Sequence, residues 1–259
     1  MNKIINEVRL YGKNRRQVPQ GRNSYWTDIK GWMAGRRRLT GQDPVTVNVT
    51  SNNPDCDFAG LSPMRLGPVR CYSEAGREIT SVNLEVAWQY AKVYCQVVDE
   101  ATGQLVDVRD RFLTTGSGGK LMPSAAWFRW RDAAYENSKF VHTHPDYRAS
   151  KKFVRRAFPK GSRVAGWYWD GRMLNATEAR LKIYARLYQQ LVTKTSGFEK
   201  LRRIVAEGRD LVLYDLDGYD WLALGRSPAD CVRDLQHSFG HGMVLAFLLK
   251  GLEPANLKL

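Results

Sequence analysis

The sequence predicts an α+β fold, a single domain rich in helix around a small sheet. Three observations carry that expectation. Val45, Val47 and Val49 alternate with Thr46, Asn48 and Thr50, the period of a half-buried strand. Residues 211–214 form a continuous apolar run, which fits a strand buried on both faces. Leu181, Tyr184, Leu187, Tyr188, Leu191 and Val192 fall on one stripe at helical spacing.

In chain order, residues 1–45 read as a basic N-terminal arm or extension, and 46–259 as the α+β domain. The first segment is rich in Arg, Lys, Gly and Gln, with Trp26 and Trp32 interleaved. Arg36, Arg37 and Arg38 suit nucleic-acid phosphates and the rings suit stacking, although a solvated domain edge has the same composition. Asn52, Asn53 and Pro54 stop the valine strand. A helix follows over 82–95, with Ser81 as N-cap and no Gly or Pro inside. Residues 103–125 read as a loop with Gly116-Ser-Gly-Gly at its tip, and 124–137 as a helix bearing Trp127 and Trp130. Thr177 is the expected cap of the helix running to Thr193. Phe198, Leu201, Ile204 and Val205 mark a shorter helix closed by Gly208. Ser227-Pro228 pairs an N-cap with proline at the first helical position, and a last apolar helix over 243–249 ends at Gly251.

With 43% hydrophobic residues in 259, a sizeable core is available. Lys+Arg 40 against Asp+Glu 26 leaves a net charge of +14, which costs self-repulsion and is relieved by a polyanion. Cys56, Cys71, Cys95 and Cys231 form no CxxC pair and suit reduced thiols in a cytoplasm. The N-terminus lacks a signal-peptide core, and no run is long enough to span a bilayer, so a cytoplasmic, membrane-free protein is expected.

Four constellations have the chemistry of a site. Glu85, Gln89 and Lys92 stand at i, i+4 and i+7, one face of a helix, with Glu85 in the first turn where the helix dipole favours its charge. An ordinary solvent-facing Glu–Lys row has the same spacing. Asp215, Asp217 and Asp220 follow the apolar strand directly, where α/β proteins commonly meet ligands, although Asp-Gly also makes a turn. Gly240, His241 and Gly242 precede a helix and let backbone N–H groups approach a phosphate, an arrangement that helix initiation explains equally. Arg163, Trp167, Tyr168, Trp169 and Arg172 mix cations with rings that suit a base and its phosphates, or an inward-packed hairpin. Arg180 joins the same cleft or a surface pair. His142-x-His144 and His237-x-x-x-His241 have chelating spacings without a supporting Cys or carboxylate, so no metal is expected.

Together these segments resemble the NADAR-type family of N-glycosidases. Glu85-x-x-x-Gln89-x-x-Lys92 is similar to its Ser-x-Glu-His-x-x-Gln-x-x-Lys-like helix, with Val86 where the family has His. Asp220-Trp221 is similar to its Asp-Trp pair, and Gly240-His241-Gly242-Met243-Val244-Leu245 to its Gly-x-Asn-x-Leu-Gly-like helix start, with Gly242 in place of the Asn. About 35 residues scattered over 81–250 carry the likeness. It implies hydrolysis of a ribosyl–base or ADP-ribosyl–base bond without a cofactor. Glu85 and one of Asp215, Asp217 or Asp220 would share the stabilising and proton-transfer roles across one cationic, ring-lined pocket. Gln89, Lys92, Arg163, Trp167, Trp169, Arg180, Gly240, His241 and Gly242 would bind the nucleotide. With the positive surplus, the expected partner is nucleic acid, DNA in preference to RNA, presenting a modified base. Two alternatives are a non-catalytic nucleic-acid-binding phage or host-defence protein, and an NAD-dependent ADP-ribosyltransferase acting on DNA.

Overall fold

A computed structural model describes residues 7–12, 25–51, 53–138 and 158–257, and these form an α+β fold. They fall into two compact units, one running up to Leu66 and resuming at Arg180, the other from Gly67 to Ala179. The first unit opens with β1 (Val8–Gly12), α1 (Tyr25–Thr40), β2 (Val45–Asn48) and α2 (Cys56–Ala59). The second comprises β3 (Val69–Tyr72), β4 (Glu78–Ser81), α3 (Leu84–Tyr90), β5 (Lys92–Val98), β6 (Leu105–Asp107) and α4 (Arg109–Phe112). It continues through β7 (Leu113–Thr115), β8 (Leu121–Pro123), α5 (Ala125–Ser138), β9 (Arg163–Trp169), β10 (Arg172–Leu174) and α6 (Ala176–Ala179). The first unit then resumes with a π-helical stretch (Arg180–Ala185), α7 (Arg186–Val192), α8 (Ser196–Ala206), β11 (Leu211–Asp215), α9 (Pro228–Arg233) and α10 (His241–Leu249).

In the first unit β11 lies between β1 and β2, parallel to both. Leu211, Val212 and Leu213 are all buried, as the continuous apolar run requires. α10 is apolar all round and buried along nearly its whole length, which a helix of that composition must be. Within the segment read as a basic arm or extension, β1 belongs to the sheet: Val8 and Leu10 enter the core, and the register runs from Val8↔Leu211 to Gly12↔Asp215. Arg36 in α1 is fixed by Asp210, whose two oxygens accept Nε at 2.7 Å and Nη2 at 2.8 Å. The same carboxylate accepts the Glu7 backbone N–H at 2.8 Å, so Arg36 anchors the helix beside the sheet. Arg37 and Arg38 are exposed.

The second unit carries an antiparallel sheet in the order β10-β9-β5-β6. Val93 and Tyr94 from β5 pack with Phe112, Leu113, Trp127 and Phe128 in one cluster. The helix expected over 82–95 is corrected here. Asn83, not Ser81, caps α3 by accepting the Val86 N–H at 2.9 Å, and the helix ends at Tyr90. Lys92 opens a strand, because β-branched Val93, Val97 and Val98 fit a pleated surface, Val93 opposite β9 and Val97 and Val98 opposite β6. The loop expected over 103–125 contains β6, α4 and the β7–β8 hairpin, with Gly118 and Gly119 at φ +73° in its tip. The helix cap expected at Thr177 is Asn175, whose Oδ1 accepts the Glu178 N–H at 2.9 Å while Glu178 accepts the Asn175 N–H at 3.2 Å.

Candidate functional site

Glu85, Gln89 and Lys92 are brought together even though Lys92 has left the helix. The Gln89 amide nitrogen donates to Glu85 Oε1 at 2.8 Å, and its oxygen accepts from Lys92 Nζ at 2.6 Å. One helical turn separates the first pair, and the short passage from α3 into β5 delivers the third residue. Burial pushes the Lys92 ammonium below its ordinary value, and the Glu85 charge pulls it partly back. Lys92 Nζ lies 5.9 Å from the centroid of the Trp88 ring. Trp88 in turn stacks on Trp167 of β9, with centroids 5.5 Å apart at 23°. The Trp167 indole N–H is buried and has no hydrogen-bond partner among the described residues. A carboxylate, an amide, an ammonium and two stacked rings therefore form one cluster inside the second unit.

The rest of the β9 segment divides by strand alternation. Tyr168 meets Trp127 and Phe128 edge-on at 5.6 and 5.3 Å, on the face opposite Trp167. Arg163 is exposed at the start of β9, and Trp169 is half-buried at its end.

Asp215, Asp217, Asp220, Arg180 and the Gly240–Gly242 turn belong to the first unit, and most have structural employment there. The Asp215 side chain is 2% exposed and accepts the N–H groups of Leu216 at 2.6 Å and Gly242 at 3.0 Å. It also faces His241 Nδ1 at 3.3 Å, while His241 Nε2 donates to the Val49 carbonyl at 2.9 Å. The expected phosphate cradle at the start of α10 is thus filled by the protein's own carboxylate, which answers the positive helix end. The two glycines are needed for that approach. A Cβ on Gly242 would lie 2.8 Å from Asp215 Oδ2, and one on Gly240 would lie 2.5 Å from the Asp217 carbonyl.

Asp220, also 2% exposed, accepts Arg9 Nε at 2.6 Å and Nη2 at 2.5 Å. Burial lifts its carboxyl above the ordinary range against the pull of Arg9. Arg180 donates from Nη1 to the carbonyls of Val232 at 3.2 Å and Asp234 at 2.6 Å, and from Nη2 to that of His237 at 2.8 Å. It thereby satisfies the end of α9 and the turn after it, so it is a capping residue and not a phosphate ligand. Asp217 is exposed in the turn after β11.

Two groups escaped the sequence reading. Asp234 collects His237 Nδ1 at 2.8 Å, the Tyr219 hydroxyl at 3.1 Å and the Arg226 guanidinium. Burial opposes its charge, and these donors outweigh that and hold the carboxyl low. Asp-x-x-His is the available signal, but these three donors and the Gln236 N–H at 3.2 Å occupy the carboxylate. The other is Arg131, 4% exposed, whose guanidinium lies 5.0 Å from the ring centroids of both Trp127 and Phe128. Its place in Trp-Phe-Arg-Trp-Arg resembled helix amphipathicity only.

Among the described residues no group of His, Cys, Asp and Glu is arranged to hold a metal ion, and no helix is long and apolar enough to cross a membrane. His142 and His144 lie outside the described residues. No family model, no curated protein and no solved structure matches this chain.

Proposed function

We propose that the protein is an N-glycosidase of the kind its sequence resembles, cleaving a ribosyl–base or ADP-ribosyl–base bond in a nucleotide, with a modified base in DNA as substrate. The observation that carries this is the hydrogen-bonded row Glu85–Gln89–Lys92 beside the Trp88–Trp167 stack. Asp215 and Asp220 are engaged within the first unit, so the reading rests on Glu85 with Lys92. As the bond between the anomeric carbon and the base nitrogen breaks, its electron pair leaves on nitrogen, which takes a proton from the Lys92 ammonium. Water attacks the anomeric carbon and passes its proton to Glu85, whose charge stabilises the cationic sugar. Glu85 then releases its proton to solvent, and solvent returns one to Lys92. A lysine with a lowered pKa is the better acid for that step. Gln89 keeps the acid and the carboxylate in register.

The positive surplus of +14 supports a polyanionic substrate, and the described cysteines, none in a disulfide, suit a reducing cytoplasm. The test is mass spectrometry of DNA digests after incubation with the wild-type protein and with Glu85→Gln. Released base or ADP-ribose is expected from the first and not from the second, with DNA binding and folding retained. Turnover that survives Glu85→Gln removes the proposal. Steeply salt-dependent DNA binding with no turnover by either protein identifies the non-catalytic alternative. Transfer of label from NAD to DNA identifies the transferase.

A further inference from the structure

A second cavity, of about 390 Å³, lies between the tips of two hairpins of the second unit. β3 and β4 form one hairpin, whose turn contributes Tyr72 and Glu74. β9 and β10 form the other, and Trp169 pairs with Arg172 across a turn in which Asp170 at φ +49° and Gly171 at φ +77° both adopt the left-handed conformation. α5 supplies the floor. Arg131 donates from Nε and Nη2 to Asp132 Oδ1 at 2.9 and 2.7 Å, and Nη2 also holds the Tyr72 carbonyl at 2.6 Å. That last bond ties the first hairpin to the helix. The edge-on contact of Tyr168 with Phe128 ties the second. The walls are therefore fixed before any ligand arrives.

The lining groups have hydrogen-bonding capacity to spare. Arg131 is nine-tenths buried, yet its Nη1 donates no hydrogen bond among the described residues, and neither does the Tyr168 hydroxyl. Glu74 and Asp170 pair with no cation there. Burial pushes the Tyr168 hydroxyl up, Arg131 pulls it down, and Asp170 and Glu74 add to the rise, so these groups act on one another. Arg131 is paired with Asp132 and Arg70 with Glu78, so Glu74 and Asp170 leave the lining rich in acceptors for a ligand that carries N–H donors. Tyr72, 56% exposed, and Trp169 offer flat faces at the mouth.

We propose that this cavity binds a nucleobase. A base is flat, uncharged, and carries donors and acceptors on one edge. Stacking on Tyr72 or Trp169 covers its face, its amino or imino groups meet Glu74 and Asp170, and a ring carbonyl or nitrogen meets Arg131 Nη1 and the Tyr168 hydroxyl. None of these residues belongs to the Glu85–Gln89–Lys92 row, so the site stands without the hydrolytic proposal.

The experiment titrates the full chain with adenosine, guanosine, cytidine and uridine by calorimetry, and repeats the titration with Tyr72→Ala, Asp170→Asn and Glu74→Gln. Asparagine tolerates the left-handed turn, so Asp170→Asn removes the charge and keeps the hairpin. At least one nucleoside is expected to saturate the protein, with affinity weakened about tenfold by Tyr72→Ala and by Asp170→Asn. Failure of all four nucleosides to bind at millimolar concentration overturns the proposal, as does binding that is indifferent to the three substitutions. Because Glu85→Gln is read by turnover and the cavity variants by nucleoside affinity, failure of one site is distinguishable from failure of the other.

Discussion

The Asp215 carboxylate accepts the backbone N–H of Gly242 at 3.0 Å, and so the last residue of β11 caps α10. A phosphate would need the same donors. Asp215→Asn keeps one acceptor and loses the charge, and is expected to destabilise the fold by about 1–3 kcal/mol. Gly242→Ala presses a methyl group against Asp215 and Leu10 and is expected to cost about 1–3 kcal/mol. Urea denaturation midpoints measure both, and an unchanged midpoint in Asp215→Asn would show that the cap contributes nothing.

Arg9 and Asp220 form a buried ion pair beside the sheet, with Arg9 also 5.0 Å from the Trp32 ring centroid. Removing one partner strands a buried charge. Arg9→Met is expected to cost about 3–5 kcal/mol, and adding Asp220→Leu is expected to recover much of that loss. A double-mutant cycle reads the difference. Additive losses would mean that the two charges do not depend on each other.

The three consecutive arginines of α1 separate by role. Arg36→Ala breaks two charged hydrogen bonds to Asp210 and is expected to cost about 1.5–3 kcal/mol. Arg37→Ala and Arg38→Ala alter exposed side chains and are expected to stay within about 0.5 kcal/mol of wild type. If DNA is the partner, each of the latter two lowers the slope of log affinity against log salt by about 1, a change that filter binding across a salt series detects. Equal stability losses for all three would contradict the division.

Legibility in the sequence followed the distance over which each feature is decided. α10 and β11 were readable because apolar runs of their length have few other solutions. β1 was not. Its five residues sit in a basic segment, and what makes them a strand is pairing with residues about 200 positions away, such as the Glu7–Asp210 hydrogen bond. Helical spacing accounts for Glu85 and Gln89 in their hydrogen-bonded row, but a strand delivers the Lys92 ammonium to it. Asp215 and Arg180 are illegible because a charged residue next to a turn has the same sequence signature whether it serves a ligand or a helix end. Only the geometry of Gly242 and of the α9 carbonyls distinguishes the two.

Lys92 gives the prediction that joins stability to chemistry. Burial sets its folded pKa below the ordinary 10.5, so between those two values the unfolded chain binds more protons than the folded one. Unfolding free energy must then rise with pH across that window, because deprotonation relieves the cost of burying the ammonium. Below the window the cost is present in full. Lys92→Met is therefore expected to be most stabilising relative to wild type at neutral pH, with the advantage shrinking as pH approaches 10.5. Denaturation midpoints of the two proteins over that range measure the difference, and a gap that stays constant with pH would contradict a desolvated ammonium. If Lys92 protonates the leaving base, turnover falls as pH rises through the same depressed value, since only the charged form can give the proton. That alkaline limb should begin below 10.5 in wild type and be missing from the residual activity of Lys92→Met. A limb that persists unchanged in the variant assigns the acid to another residue.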